Sequence, residues 1–147
     1  MHGKLILLLG PSGVGKGTIR ALLKARHPEF FFPPSVTTRT PRPGEVDGDN
    51  YFFISREEFE ERLQKHEFLE WASPHGLEYY GTLLHPIRQA LHEGKTVIRE
   101  MDLKGLRVVY ETALEPYIHS IFLMPPSIDD LRKRIENRGS LSSLSCE

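Results

Sequence analysis

Five apolar residues in a row, 5–9, stop abruptly at Gly10. A short continuous apolar run bounded by a turn signal predicts a strand buried on both faces. After it, Ile19, Leu22 and Leu23 fall on one side of a helical wheel, with Arg20, Lys24 and Arg26 elsewhere. That pattern predicts an amphipathic helix from 17 to about 26, ending before Pro28. The Phe30-Phe-Phe-Pro-Pro34 stretch reads as a connection with buried aromatics. A β-branched stretch at 35–38 predicts a short strand, and two prolines and a glycine make 39–45 a loop. Residues 46–50 form a turn and 51–54 another strand. Ser55 with Glu58 three positions later is a capping box, opening a helix to about 66 with Phe59 and Leu63 on one face. Stretches 68–72 and 77–81 predict two more short strands around a turn at 73–76. Leu84, Ile87 and Leu91 mark a helix stopped by Gly94. A strand at 95–98, a helix from 103 to about 111 and a strand at 117–124 follow. Ser127 caps a final helix with Ile128, Leu131 and Ile135 expected inward. The Ser-rich tail from Gly139 is expected to fray.

Strand–helix alternation outside the middle of the chain predicts an α/β fold with a parallel sheet flanked by helices. The stretch 35–82, with small antiparallel strands and one helix, predicts an insert beside that sheet. A chain of 147 residues fits one unit with a sizeable core. The expected division is a core of 1–34 and 83–126, an insert of about 35–82, a partial lid helix at 127–139 and a disordered tail at 140–147. Net charge is −1, so the molecule as a whole is no polyanion binder. The single cysteine, Cys146, excludes an internal disulfide within the chain and fits a reducing compartment. No apolar run approaches the length of a membrane span and no leader pattern is visible, so the expected location is the cytoplasm, with neither membrane nor nucleic acid as partner.

Gly10, Gly13, Gly15 and Lys16 have the spacing G-x-x-x-x-G-K between strand and helix, the pattern of a phosphate-binding P-loop. Such a loop wraps its N–H groups around an anion at a helix N-terminus. The candidate nucleotide-phosphate residues are Gly10, Ser12, Gly13, Val14, Gly15, Lys16, Gly17 and Thr18. The position after the lysine, usually a Mg²⁺-ligating hydroxyl, is Gly17, and Thr18 follows one step later. In a parallel α/β sheet, ligands bind at the carboxyl ends of strands. The P-loop, residues 35–42, Glu100 with Asp102, and the segment after Pro125 all follow strands, and so converge on one edge.

Arg39 and Arg42 on their Pro-flanked loop suit a second phosphate group, although solvated loop arginines need no function. Tyr51 and Tyr80 can offer phenol donors to the same group, or be half-buried strand residues. Glu70, between Leu69 and Trp71, is either an acceptor for paired donors such as guanine N1–H and N2, or an edge residue facing water. Asp102 is a second acceptor. Glu100 stands where an acid would hold Mg²⁺ through water, and Arg99 before it, unexpected after an apolar run, reads as pointing to the other face. Arg134 and Arg138, at i and i+4, suit a transferring phosphoryl group or form a solvated basic face. The seven histidines show no metal-ligand spacing, and no Ser-His-Asp arrangement is readable.

Taken together, the strings Gly10-Pro-Ser-Gly-Val-Gly-Lys-Gly-Thr18, Thr37-Thr-Arg-Thr-Pro-Arg42, Gly44-Glu-Val-Asp-Gly48 with Tyr51, Phe68-Leu-Glu-Trp71, Tyr79-Tyr-Gly81, Asp102-Leu-Lys-Gly105 and Pro125-Pro-Ser127 resemble the guanylate kinase family from Leu5 to about Gly139. The resemblance implies a P-loop NTPase-type core with a small mixed α/β GMP-binding insert, and ATP-dependent phosphorylation of GMP with Mg²⁺. It implies that Arg39, Arg42, Tyr51 and Tyr80 hold the GMP phosphate. Ser35, Glu70, Thr82 and Asp102 would contact guanine. Lys16, Arg134 and Arg138 would act on the transferring group, with Glu100 and Thr18 toward the metal. The family pattern runs past Arg138-Gly139 by roughly a quarter of the domain, so the fold is expected to be C-terminally truncated, with an open adenine side and an exposed sheet edge suited to self-association. That departure keeps a second reading open: a weakly active or non-catalytic GMP- or protein-binding module on the same fold.

Overall fold

The computed structural model describes residues 2–74 and 76–143, with side chains through 137. Its core is a parallel sheet ordered β6 (Thr96–Glu100), β1 (Lys4–Leu9), β7 (Ile118–Phe122). Phe31 adds a parallel rung outside β6: its N–H donates to Thr96 O at 2.9 Å and its carbonyl accepts from Ile98 N at 2.9 Å. The apolar run 5–9 becomes the middle strand β1, as a strand buried on both faces must. Leu5, Leu7 and Leu9 face one side, with Ile87, Ala90 and Leu91 of α3 (Leu84–His92) and Val109 of α4 (Leu103–Tyr110). Leu8 faces the other with Ile98 and Phe32, against Leu23 of α1 (Lys16–Arg26). Each buried leucine contributes about 1.5–3 kcal/mol.

The insert is a second sheet, ordered β3 (Tyr51–Phe53), β2 (Ser35–Thr37), β5 (Tyr80–Leu83), β4 (Phe68–Ala72), with α2 (Arg56–Gln64) on one face. Ser55 caps α2 as its pattern predicts, its Oγ accepting from Glu58 N at 3.1 Å. Phe59 of α2 is fully buried and stacks on Phe68 and Tyr79 at 4.4 and 5.1 Å. Phe68 in turn lies over Gly81, where an added Cβ would stand 2.6 Å from its ring.

Several expectations are corrected. The insert is mixed rather than antiparallel, because β2 and β3 run parallel. The connection 38–50 returns the chain to the start of the ladder, pinned where Asp47 Oδ1 accepts from Phe53 N at 2.8 Å. The strand expected at 77–81 is β5, starting at Tyr80. Tyr79 instead spends both backbone groups on Thr37 and Thr38, accepting from the Thr37 hydroxyl and donating to the Thr38 hydroxyl, each at 2.9 Å. Glu100 ends β6 rather than following it. On α1, Leu23 packs, but Ile19 and Leu22 are exposed. On α5 (Ile128–Ser143), Ile128 and Ile135 are exposed too, and the helix runs past the point where fraying is expected; residues 144–147 of the expected tail, Cys146 among them, lie outside the described residues. β7 is a sheet edge with Ile121 and Phe122 half exposed.

Candidate functional site

β1 ends at Leu9 and the chain turns through Gly10 and Gly13, at φ +143° and +81°. Gly10 is required by space as well as conformation, and Gly13 by conformation. A Cβ at Gly10 would meet Leu123 O at 2.6 Å, and one at Gly13 would meet the Ile135 side chain of α5 at 3.0 Å. The loop delivers the chain into α1 with no side chain capping its first turn. The free N–H groups and the positive end of the helix dipole therefore face the loop's hollow. Lys16 Nζ donates to Gly10 O at 2.7 Å and Pro11 O at 3.0 Å, which holds the ammonium across the loop mouth. A cavity of about 840 Å³ opens there, lined by the loop, Thr18, Glu100, Asp102 and Arg134. Arg134 donates to Val14 O at 3.2 Å, placing α5 over the loop. Arg138 lies on the same helix, with its side chain outside those described.

Two neighbouring cavities complete a cleft between core and insert. One of about 750 Å³ is lined by Arg20, Ser35, Glu45, Tyr51, Arg99 and Glu100 among others, and one of about 370 Å³ by Lys16, Glu70, Arg99, Glu100 and Asp102 among others. Glu100 borders all three cavities and sits 3.9 Å from Arg20. Asp102 is exposed, and its Oδ1 accepts from Gly105 N at 2.7 Å as the N-cap of α4.

Register explains how the insert presents its polar groups. Tyr51 lies opposite Ser35, and Glu70 opposite Thr82. Extending the antiparallel β2–β5 register of Val36 with Gly81 by one step sets Ser35 beside Thr82. These four residues thus form one row across one face of the sheet, away from α2. Glu70 Oε1 accepts the Thr82 hydroxyl, so the carboxylate is an engaged, mostly buried group and not an edge residue facing water. A bulge between Phe68 and Glu70 makes this arrangement compatible with packing. Without the extra residue, Phe68 and Glu70 would share a face. With it, Phe68 turns to α2, Leu69 enters the main core and Glu70 joins the polar row.

The next row on that face carries Tyr80 opposite Thr37, and Arg39 lies in the loop just past β2. Arg39 is nearly buried beneath Tyr51 and Phe53, 5.2 and 5.5 Å from their ring centres. Its fork is filled by Glu45, through two 2.9 Å hydrogen bonds. Glu45 also accepts from Arg42 N at 2.7 Å. Arg42 itself is exposed, with no hydrogen bond to its guanidinium among the described residues. Tyr80 is pushed up from its ordinary value by burial and by its hydrogen bond to Glu78. Arg39, Arg42, Tyr80 and Thr82 do not line the three cavities of the cleft.

The Arg39 fork, helped by the Arg42 N–H, holds the Glu45 carboxyl down at about 2, from an ordinary 4.5. A depressed carboxyl contributes stability above its unfolded value, which is lost as pH falls toward the folded one. The clamp on loop 39–45 is therefore intact above about pH 4.5 and released as pH falls through about 2. In acid titration followed by circular dichroism, Glu45→Gln is expected to flatten the loss of stability across that window. An unchanged pH profile would remove the clamp.

Sequence patterns missed several of the cleft's groups. Arg20 donates to Asn50 Oδ1 at 2.8 Å and Lys24 to Asp49 Oδ1 at 2.9 Å, tying α1 to the insert turn. Both look like ordinary solvent-side charges of an amphipathic helix. Arg99 does lie on the sheet face opposite Glu100, and from there it reaches Ser35 of the insert, a contact that no sequence pattern announces.

Comparison with known proteins agrees with this architecture. The family model described as guanylate kinase matches residues 2–146. The chain is 46% identical over 138 residues to a guanylate kinase of Synechococcus elongatus, covering 94% of this chain and 74% of the relative. It is 51% identical over 137 residues to one of Trichormus variabilis, covering 93% and 67%, and 48% identical over 140 residues to one of Bifidobacterium longum, covering 94% and 71%. The crystal structure of guanylate kinase from Anaplasma phagocytophilum superposes with a TM-score of 0.71 at 30% identity, over 98% of this chain and 71% of that one.

Proposed function

The chain belongs to the guanylate kinase family, and we infer from that membership and from its cleft that it is a nucleoside monophosphate kinase converting ATP and GMP to ADP and GDP. The observation that carries the reading is that an anion-suited P-loop of the core and the polar face of the insert border one cleft. In this reading residues 1–34 and 83–126 form the core, 35–82 the GMP-binding insert and 127–139 part of the lid.

ATP phosphates lie in the cradle of Gly10, Ser12, Gly13, Val14, Gly15, Gly17 and Thr18, with Lys16 released from its two carbonyls to follow the β- and γ-phosphates. GMP lies against the insert. Glu70 and Asp102 accept from guanine, Ser35 and Thr82 flank it, and Arg39, Arg42, Tyr51 and Tyr80 hold its phosphate. Arg39 is pre-set by Glu45, and the unengaged fork of Arg42 is the more available of the two. A GMP phosphate oxygen then forms a bond to the γ-phosphorus as the bond from that phosphorus to the β–γ bridging oxygen breaks, leaving ADP. Charge on the moving group is met by Lys16 and by Arg134 and Arg138 of α5. Among the described residues no three His, Cys, Asp or Glu side chains are placed to hold a metal by themselves. The Thr18 hydroxyl and Glu100 carboxylate on the large cavity are hard oxygen donors, and fit a Mg²⁺ carried in by ATP and held partly through water. When bound, that ion would neutralise developing phosphate charge.

No helix among the described residues is long and apolar enough to cross a membrane, and a cytoplasmic enzyme acting on nucleotides is the accompanying proposal. The half-exposed apolar edge at β7 supports self-association. The test of function is ADP formation with GMP, AMP, UMP or no acceptor. Turnover with GMP alone is expected, and equal ADP formation without acceptor would overturn the reading.

A further inference from the structure

Arg99 stands where a charge is least expected. On β6 it shares a face with Val97, and with Met101 just past the strand, both buried in the main core. Its side chain is only 16% exposed. Burial pushes the guanidinium below its ordinary value, and Glu70 is the first group opposing that fall. A cation in such a place is tolerated only with partners. It has them on the insert rather than on its own sheet. Nη1 donates to Ser35 Oγ at 2.9 Å, and Nη2 lies 3.6 Å from Glu70 Oε1. Nε is buried without a hydrogen-bond partner. Arg20, Glu100 and Tyr51 are the other groups whose charge it senses. The fork borders both the 750 Å³ and 370 Å³ cavities, and so stands between the two halves of the insert's polar face.

We propose that Arg99 is a positioning residue for base recognition, fixing the Ser35 hydroxyl and the Glu70 carboxylate from the core sheet so that they read guanine together. The inference rests on the GMP reading above. A hydroxyl that accepts from Arg99 keeps its own O–H to donate, which suits an acceptor on the base edge. A carboxylate drawn toward Thr82 and Arg99 through Oε1 presents Oε2, which no hydrogen bond engages among the described residues, to the N–H groups of guanine. The planar fork is what allows both partners to be held at once. A lysine ammonium also carries several donors, but as a compact point charge on a flexible stem it lacks the fixed, planar spacing that matches both partners.

The experiment is calorimetric binding of GMP and of inosine monophosphate, which lacks the N2 amine, to the full chain. Arg99→Leu is expected to weaken GMP binding about tenfold while inosine monophosphate loses much less, so that the preference collapses. Arg99→Lys is expected to recover only part of it, and carries the test if the leucine variant does not fold. In a Glu70→Gln background, Arg99→Leu is expected to cost no further preference, since both changes act through one carboxylate. A purely structural arginine would weaken both ligands equally and leave the preference intact, and that outcome overturns the proposal. Wild-type protein that binds no GMP overturns the functional reading and this inference with it. Wild-type binding with an unaltered preference in both Arg99 variants overturns this inference alone.

Discussion

Lys16→Ala is expected to lower kcat for ADP formation by roughly 10²–10³-fold, the scale of removing one preorganised charge from a reacting phosphoryl group. The fold should barely notice. Among the described residues the ammonium's hydrogen bonds are to Gly10 O and Pro11 O, both beside an open cavity where water can replace it. The glycine conformations and the Cβ exclusion that shape the loop do not involve Lys16. The expected signature is thus a collapse of kcat with a urea midpoint close to that of the wild type and GMP binding retained, because the residues proposed for GMP, Asp102 apart, lie on the insert. A variant with kcat within tenfold of the wild type would mean that the loop is not where phosphoryl transfer occurs. A variant that unfolds would mean that Lys16 braces the loop instead.

Phe59→Ala is expected to cost about 3–5 kcal/mol, as large-to-small changes at a fully buried aromatic do. Its ring stacks on Phe68 and Tyr79 over Gly81, which contributes no side chain to take up the space. At about 2–4 °C per kcal/mol for a chain of this size, the melting temperature should fall by roughly 10 °C. The damage should be local in kind. Tyr79 is bonded to Thr37 and Thr38, and Phe68 leads into Leu69 and Glu70, so loosening this stack releases the strands that carry the polar row. GMP affinity is expected to fall with stability, while the P-loop, on the other side of the cleft, keeps its hold on ATP. A loss below about 1 kcal/mol would show that the insert is held by its sheet alone.

The parts of this molecule that could be read from the chain are those whose causes are local. Residues 5–9 announce a buried strand because every side chain is apolar, and G-x-x-x-x-G-K announces the loop because glycine, lysine and a following helix are contiguous. The Ser55 cap is equally local. What escaped is governed by register and by distant pairing. The parallel β2–β3 ladder depends on how residues 38–50 fold back, and hydrophobic periodicity carries no sign of strand direction. The bulge at Leu69 breaks the alternation that would otherwise assign Phe68 and Glu70 to one face. Arg99 and Ser35 are 64 positions apart, so nothing near either residue foretells their bond. Arg39 could be picked as an arginine in the right loop, but its occupation by Glu45 could not be seen, since spacing does not say which way two long side chains turn. Ile19, Leu22, Ile128 and Ile135 keep helical spacing without burial, because periodicity shows a capacity to pack and not the surface that meets it.

The bulge at Leu69 also sets a lever arm. Among the described residues Leu69 is the one insert side chain within the buried main core cluster, whereas α1 holds the far turn through side-chain pairs at Asp49 and Asn50. A swing of the insert that broke those pairs would pivot near Leu69. Glu70, one residue from the pivot, then travels least, and the Arg39–Arg42 loop travels through a wider arc. Breaking those pairs would leave the base end of a bound nucleotide nearly stationary and carry its phosphate end away from α1, and re-forming them would bring that end back toward Lys16.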